Sequence, residues 1–185
     1  QIMVNDNDPL VLKALSDASR SLAQGEVMQL SLVNNIDVNK EKYFKVIEDK
    51  TAKLFSAAAF IGGVVSREKL DNLNNLSSYG KYIGTSFQIL DDVMDYDTSK
   101  KNTGKKIGND FKEGKVTLPI LLAISRSNKK EKQFWKRVIE KLEQDENDFE
   151  EAIHILIKYD CLNDAIGVQH REMPNLGVVS DAFFR

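Results

Sequence analysis

The run Gln88-Ile89-Leu90-Asp91-Asp92-Val93-Met94-Asp95 gathers three carboxylates within a few residues of one another. On a helix, Asp91 and Asp95 share a face, separated by a rise of about 6 Å. Asp92 stands beside them, and Gln88 lies one turn earlier. Carboxylates crowded on one face repel each other unless a cation joins them. An all-oxygen ligand set that leaves positions for water and phosphate suits Mg²⁺. Val93 and Met94 would face a core and anchor the helix. Taken alone, the run reads equally well as a solvated acidic helix end.

The residues that follow change the balance. Lys100, Lys101, Lys105, Lys106, Lys112 and Lys115 are interleaved with Gly104, Gly108 and Gly114. An acidic helix followed by a lysine-glycine stretch fits a magnesium-diphosphate complex. Carboxylates hold metal, lysines meet the remaining phosphate charge, and glycines let the backbone approach. Lys100, Lys101 and Lys112 read more simply as solvated charges on a loop.

The elements that must position these residues read as helices. Apolar spacing predicts one over 9–32, through Leu10, Leu12, Leu15, Leu22, Val27 and Leu30, and a second over 40–65, through Tyr43, Val46, Ile47, Leu54 and Ala58. Ser66 as N-cap opens a third over 67–96, whose polar middle at 72–78 would admit a break. Residues 33–39 and 97–114 read as loops. Shorter helices are expected over 117–125, 130–144 and 149–159, and from 167 to 185 no period is legible. No strict alternation persists over six residues, so almost no strand is expected and the fold class is all-α.

Length and composition bound the rest. The chain has 185 residues, 42% hydrophobic and 29% charged, as expected of one globular domain over 1–185. A formal charge of −2 gives no reason to expect nucleic acid or an anionic membrane as partner. The longest apolar run, 54–65, falls well short of the roughly 20 residues a membrane helix needs, so no transmembrane segment is expected. Its small residues, Ala57, Ala58, Ala59, Gly62 and Gly63, read as a helix-packing surface. A single cysteine, Cys161, forms no intrachain disulfide, and a cytoplasmic location is the simplest expectation. Cys161 and Trp135 read as packing residues, while Tyr96, like Phe87, could line an apolar cavity or pack in a core. The chain opens at Gln1 without an initiator Met and reads as starting mid-protein.

The run from Gly84 to Asp95 resembles the second aspartate-rich motif of the trans-isoprenyl diphosphate synthases. Gly104-Lys105-Lys106-Ile107-Gly108-Asn109-Asp110 and Gly114-Lys115-Val116-Thr117-Leu118-Pro119 are similar, in order and spacing, to that family's following segment. Upstream, Lys50-Thr51-Ala52-Lys53-Leu54-Phe55 resembles its Lys-Thr helix, and Gly25-Glu26-Val27-Met28-Gln29-Leu30 the segment before it. These details look most like the long-chain, octaprenyl-type members. The resemblance implies a helical bundle around a central cavity and a homodimer. It also implies the reaction: an allylic diphosphate ionises, isopentenyl diphosphate attacks the cation, and a proton is lost. By position, Asp91, Asp92 and Asp95 would bind Mg²⁺, and Lys115 would lie near the diphosphate. One of Lys105 and Lys106, with Lys105 favoured, would bind the allylic diphosphate. Lys50 and Gln88 would contact the allylic group, Thr51 would orient the leaving diphosphate, and Phe87 could line a prenyl cavity or pack in a core.

Two departures matter. Nothing in residues 1–31 matches the family's first aspartate-rich motif; Asn5-Asp6-Asn7-Asp8-Pro9 has the wrong spacing and a helix-breaking proline. The tail from 167 onward is compressed relative to the family's last helices. The expectation is therefore the C-terminal part of a polyprenyl synthase, inactive by itself. The rival readings are a non-catalytic subunit of a heteromeric prenyl synthase and another class I terpenoid synthase.

Overall fold

The structure, a computed structural model, describes residues 8–98 and 107–172, the last four of these through their backbone alone. Among the described residues every regular element is helical, as the apolar spacing predicts. They form two compact units: one of residues 8–29 and 44–88, the other of 30–43, 89–98 and 107–172. The tail 173–185, with its expected compression, lies outside the described residues.

Helix α1 spans Pro9–Leu32. It starts where Asp8 caps it, the Asp8 Oδ1 accepting the Leu10 amide at 2.8 Å, with proline at the first position, where no amide is needed. Helix α2, Lys40–Ile47, opens on Asn39, whose side chain accepts the Lys42 amide at 2.9 Å. The continuous helix expected over 40–65 is interrupted. Residues Glu48–Ala52 form a π-helical turn, closed by the Lys53 amide donating five residues back to Glu48 O, before α3 resumes over Lys53–Val65. Asp49 holds this wide turn. Its buried carboxylate sits between Lys45 at 3.0 Å and Lys53 at 2.7 Å, one turn to either side. Burial acts to raise its pKa, yet the two ammonium groups outweigh it and hold the carboxyl below its ordinary value.

Ser66 does not start the next helix. It closes α3, and Arg67 turns the chain through a left-handed conformation (φ 58°) before α4, Leu70–Met94. The polar stretch 72–78 continues through α4 unbroken. On α3, Ala57 and Gly63 are buried, and a Cβ at Gly63 would lie 2.6 Å from the Leu73 side chain of α4. The other side of α3 is uncovered, with Leu54, Ala58, Gly62 and Val65 exposed.

In the second unit, the loop expected over 97–114 contains a short helix, α5, Asn109–Lys112. Its apolar centre is α6, Leu118–Arg126, whose residues Leu118 to Ala123 are all buried. Around α6 pack α7 (Lys129–Trp135), α8 (Asp148–Lys158) and α9 (Cys161–Glu172). Helix α7 begins one residue earlier than the spacing suggests because Asn128 and Glu131 form a reciprocal capping box. It ends in a second π-helical turn, Lys136–Glu140, rather than running to 144. Trp135 is fully buried, its indole donating to Ser127 Oγ at 2.9 Å. Cys161 is buried too, and burial pushes its thiol pKa up to about 11. Helix α9 occupies a stretch where the sequence pattern is weak.

Candidate active site

Each unit carries its own polar cluster. In the first, the π-helical turn presents Lys50 and Thr51. π-Helical turns are rare and recur at functional sites. Two glycines let other helices close on this turn. A Cβ at Gly25 of α1 would lie 2.5 Å from Lys50 N, and one at Gly84 of α4 would lie 2.7 Å from Ala52 Cα. Close approach by α1 brings Gln29 and Glu26 to the lysine: Lys50 Nζ donates to Gln29 Oε1 at 2.7 Å and pairs with Glu26 Oε1 at 3.0 Å. Close approach by α4 brings Gln88 to the threonine, whose hydroxyl donates to Gln88 Oε1 at 2.7 Å. Phe87 is 56% exposed, its ring tilted against Phe55 at 5.6 Å, so it is a surface-facing ring rather than a core one.

The second cluster surrounds the aspartates at the end of α4. Asp91 is exposed, while Asp92 and Asp95 are buried. Buried polar groups need partners, and both have them. The Tyr43 hydroxyl donates to Asp92 Oδ2 at 2.7 Å. Asp95 accepts the Asp110 amide at 2.9 Å on Oδ2 and the Asn109 amide at 3.3 Å on Oδ1. Asp110 in turn accepts Lys115 Nζ at 3.2 Å, and Lys115 also pairs with Glu113. Burial works to lower the Lys115 pKa, but Glu113 and Asp110 outweigh it and hold the ammonium above its ordinary value. Tyr96 is buried, and that burial, followed by the charge of Asp110, raises its phenol well above the usual range.

The structure therefore gives Lys50 contact with Glu26 and Gln29, Thr51 contact with Gln88, and Lys115 contact with Asp110. Lys105 and Lys106 lie outside the described residues. Tyr43 and Asp110 were not singled out from sequence. Tyr43 falls on the apolar stripe of its helix, and nothing local announces a hydroxyl partner 49 residues away.

Oxygen donors at Asp91 and Asp92 suit a hard divalent cation. Among the described residues, no group of three or more His, Cys, Asp or Glu side chains is arranged to hold an ion by itself. A site of this kind fits Mg²⁺ that keeps several positions for water and phosphate oxygens, and fits poorly an ion that needs a complete protein cage.

The model of the polyprenyl synthetase family matches residues 1–156. The chain is 39% identical to octaprenyl diphosphate synthase of Escherichia coli (strain K12) over 140 residues, 76% of this chain and 43% of that protein. It is 34% identical to geranylgeranyl diphosphate synthase of Saccharolobus solfataricus over 138 residues, 75% of this chain and 42% of that one. A solved polyprenyl synthase from Caulobacter crescentus CB15, complexed with calcium and isoprenyl diphosphate, superimposes with a TM-score of 0.87 at 38% identity, covering 91% of this chain and 52% of that chain. Decaprenyl diphosphate synthase from Rhodobacter capsulatus does so with a TM-score of 0.85 at 37% identity, over 91% and 52%. The chain thus spans about half the length of the relatives it matches. Matched by the family model over residues 1–156 and 39% identical to an octaprenyl diphosphate synthase, this chain belongs to the polyprenyl synthetase family.

Proposed function

We propose that the chain supplies the second aspartate motif and the lysine-bearing segments of a trans-prenyltransferase. The enzyme adds isopentenyl diphosphate units to an allylic diphosphate and makes a polyprenyl diphosphate. The observation that carries this reading is the hydrogen-bonded set Tyr43, Asp92, Asp95, Asp110 and Lys115, which holds carboxylates and an ammonium in one unit.

Asp91 and Asp92 would hold Mg²⁺, with Asp95 behind them. Bound there, the metal would stabilise charge developing on the departing diphosphate. Lys115, with Lys105 or Lys106, meets the remaining phosphate charge, which is electrostatic catalysis by fixed cations. Lys50 and Gln88 contact the allylic group, Thr51 orients the leaving diphosphate, and Phe87 offers an exposed ring to a prenyl chain. No side chain need act as base, because the released diphosphate can take the proton. The functional enzyme is proposed to be a cytoplasmic homodimer with no nucleic-acid partner and no transmembrane segment. Among the described residues, no helix is long and apolar enough to cross a membrane.

The test is product analysis on the protein at its full encoded length, with an allylic diphosphate and with isopentenyl diphosphate present or omitted. Elongated prenyl diphosphates formed only when isopentenyl diphosphate is present are expected. A cyclised hydrocarbon formed without it would overturn the reading in favour of a terpenoid cyclase.

A further inference from the structure

We infer that Asp95 is a positioning residue, whose carboxylate locks the segment 108–115 so that Lys115 is aimed at the diphosphate. This inference rests on the function proposed above.

Three consecutive amides converge on Asp95. Gly108 N donates to its main-chain oxygen at 2.8 Å, Asn109 N to Oδ1 at 3.3 Å, and Asp110 N to Oδ2 at 2.9 Å. They converge because Gly108 adopts φ 80°, ψ 20°, which turns the following amides toward α4. Glycine suits the position on two counts. That φ is left-handed, and a Cβ there would come within 2.6 Å of the Phe149 ring. Each oxygen of the buried Asp95 carboxylate already engages a backbone amide of this segment. Asp91, on the preceding turn, is exposed.

From Asp110 the order continues to the lysine. Asp110 O accepts Lys115 N at 2.9 Å, and Asp110 Oδ1 accepts Lys115 Nζ at 3.2 Å. The far end is fixed as well, because Asn34 N donates to Gly114 O at 2.9 Å. Asp95 therefore reaches Lys115 through a hydrogen-bonded path that runs by way of Asp110. Of the three motif aspartates that the resemblance assigns to metal, Asp95 thus acts on the substrate through a lysine.

Two readouts test this on the protein at its full encoded length, with Asp95→Asn as the shape-preserving variant beside Asp95→Ala. The first is amide hydrogen exchange. Losing the latch should speed exchange at Asn109 and Asp110 by about tenfold or more, whereas Asp91→Ala should leave those amides unchanged. The second is calorimetry with Mg²⁺ plus inorganic pyrophosphate. Asp95→Asn should weaken binding about as much as Lys115→Ala, and the double variant should be little worse than either. Unchanged exchange in both Asp95 variants would overturn the latch. A loss that multiplies with Lys115→Ala, but not with Asp91→Ala, would make Asp95 a metal ligand instead. If the unsubstituted full-length protein binds no pyrophosphate with Mg²⁺, the proposed function fails, and with it the purpose given to the latch. Exchange would still report whether the latch exists.

Discussion

Asp92 keeps its carboxylate inside the second unit with the Tyr43 hydroxyl donating to it. Removing that hydroxyl leaves a buried acceptor short of a donor, which costs on the order of 1–3 kcal/mol. Tyr43→Phe should therefore lower stability by that amount, read as the shift in a urea unfolding curve. Full stability in the variant would mean the contact is incidental. Asp91 differs in being exposed, and surface substitutions usually change stability little. Asp91→Ala should leave the unfolding curve within about 0.5 kcal/mol of the parent while weakening metal-dependent pyrophosphate binding more than any substitution of Asp95. Sequence spacing put Asp91, Asp92 and Asp95 on one face but could not sort them. Sorting them depends on burial and on partners, Tyr43 and the amides of 109–110, which are distant along the chain.

The π-helical turn at Glu48–Ala52 is the element on which the Lys50 and Thr51 contacts depend. Its glycine neighbours can be tested against a control that isolates packing from propensity. Alanine is favoured over glycine in a helix by about 1 kcal/mol. At Gly62, where an added Cβ meets nothing within 4 Å, Gly62→Ala should stabilise. At Gly25 and Gly84 the added carbon would strike the backbone of the turn, at 2.5 Å and 2.7 Å. There the sign should reverse, with a loss of about 1–3 kcal/mol from overpacking. Thermal melts of the three variants decide it, and stabilisation at Gly84 would show that α4 does not need this close approach. The helices over 9–32 and 70–94 were legible because their apolar spacing is long and regular. The π-helical turn was not, since one extra residue in a turn barely disturbs the period. The cap formed by Asn128 and Glu131 was legible as an Asn-x-x-Glu pattern and was passed over. Helix α9 is hard to read because its buried positions, Cys161, Ala165 and Val168, carry short side chains, while Leu162 and Ile166 are only part-buried.

At the scale of the molecule, buried titratable groups set the alkaline limit. Tyr96 and Cys161 both have folded-state pKa values above their unfolded ones, through burial. Each contribution is complete below the unfolded pKa and is lost as pH rises toward the folded one. Stability should hold to about pH 9 and then fall by up to about 1.4 kcal/mol per pH unit for each group. Urea midpoints across that range check it, and Tyr96→Phe should flatten the fall. Exposed apolar residues set the association state. Val27, Leu30, Val65 and Leu70 are each about two-thirds exposed, apolar side chains that a partner subunit could cover. The chain should sediment as a dimer or larger species; a monomer at high concentration would contradict the proposed homodimer. The central claim is that Asp91 and Asp92 bind Mg²⁺ together with a diphosphate. The measurement that tests it most directly is calorimetry of the protein at its full encoded length with Mg²⁺ and pyrophosphate, added separately and together. The account predicts weak or no heat from either alone and clear binding of the pair, reduced tenfold or more by Asp91→Ala (roughly one lost charge-assisted contact). Equal Mg²⁺ affinity with and without pyrophosphate, or pyrophosphate binding indifferent to Mg²⁺ and to Asp91, would contradict it.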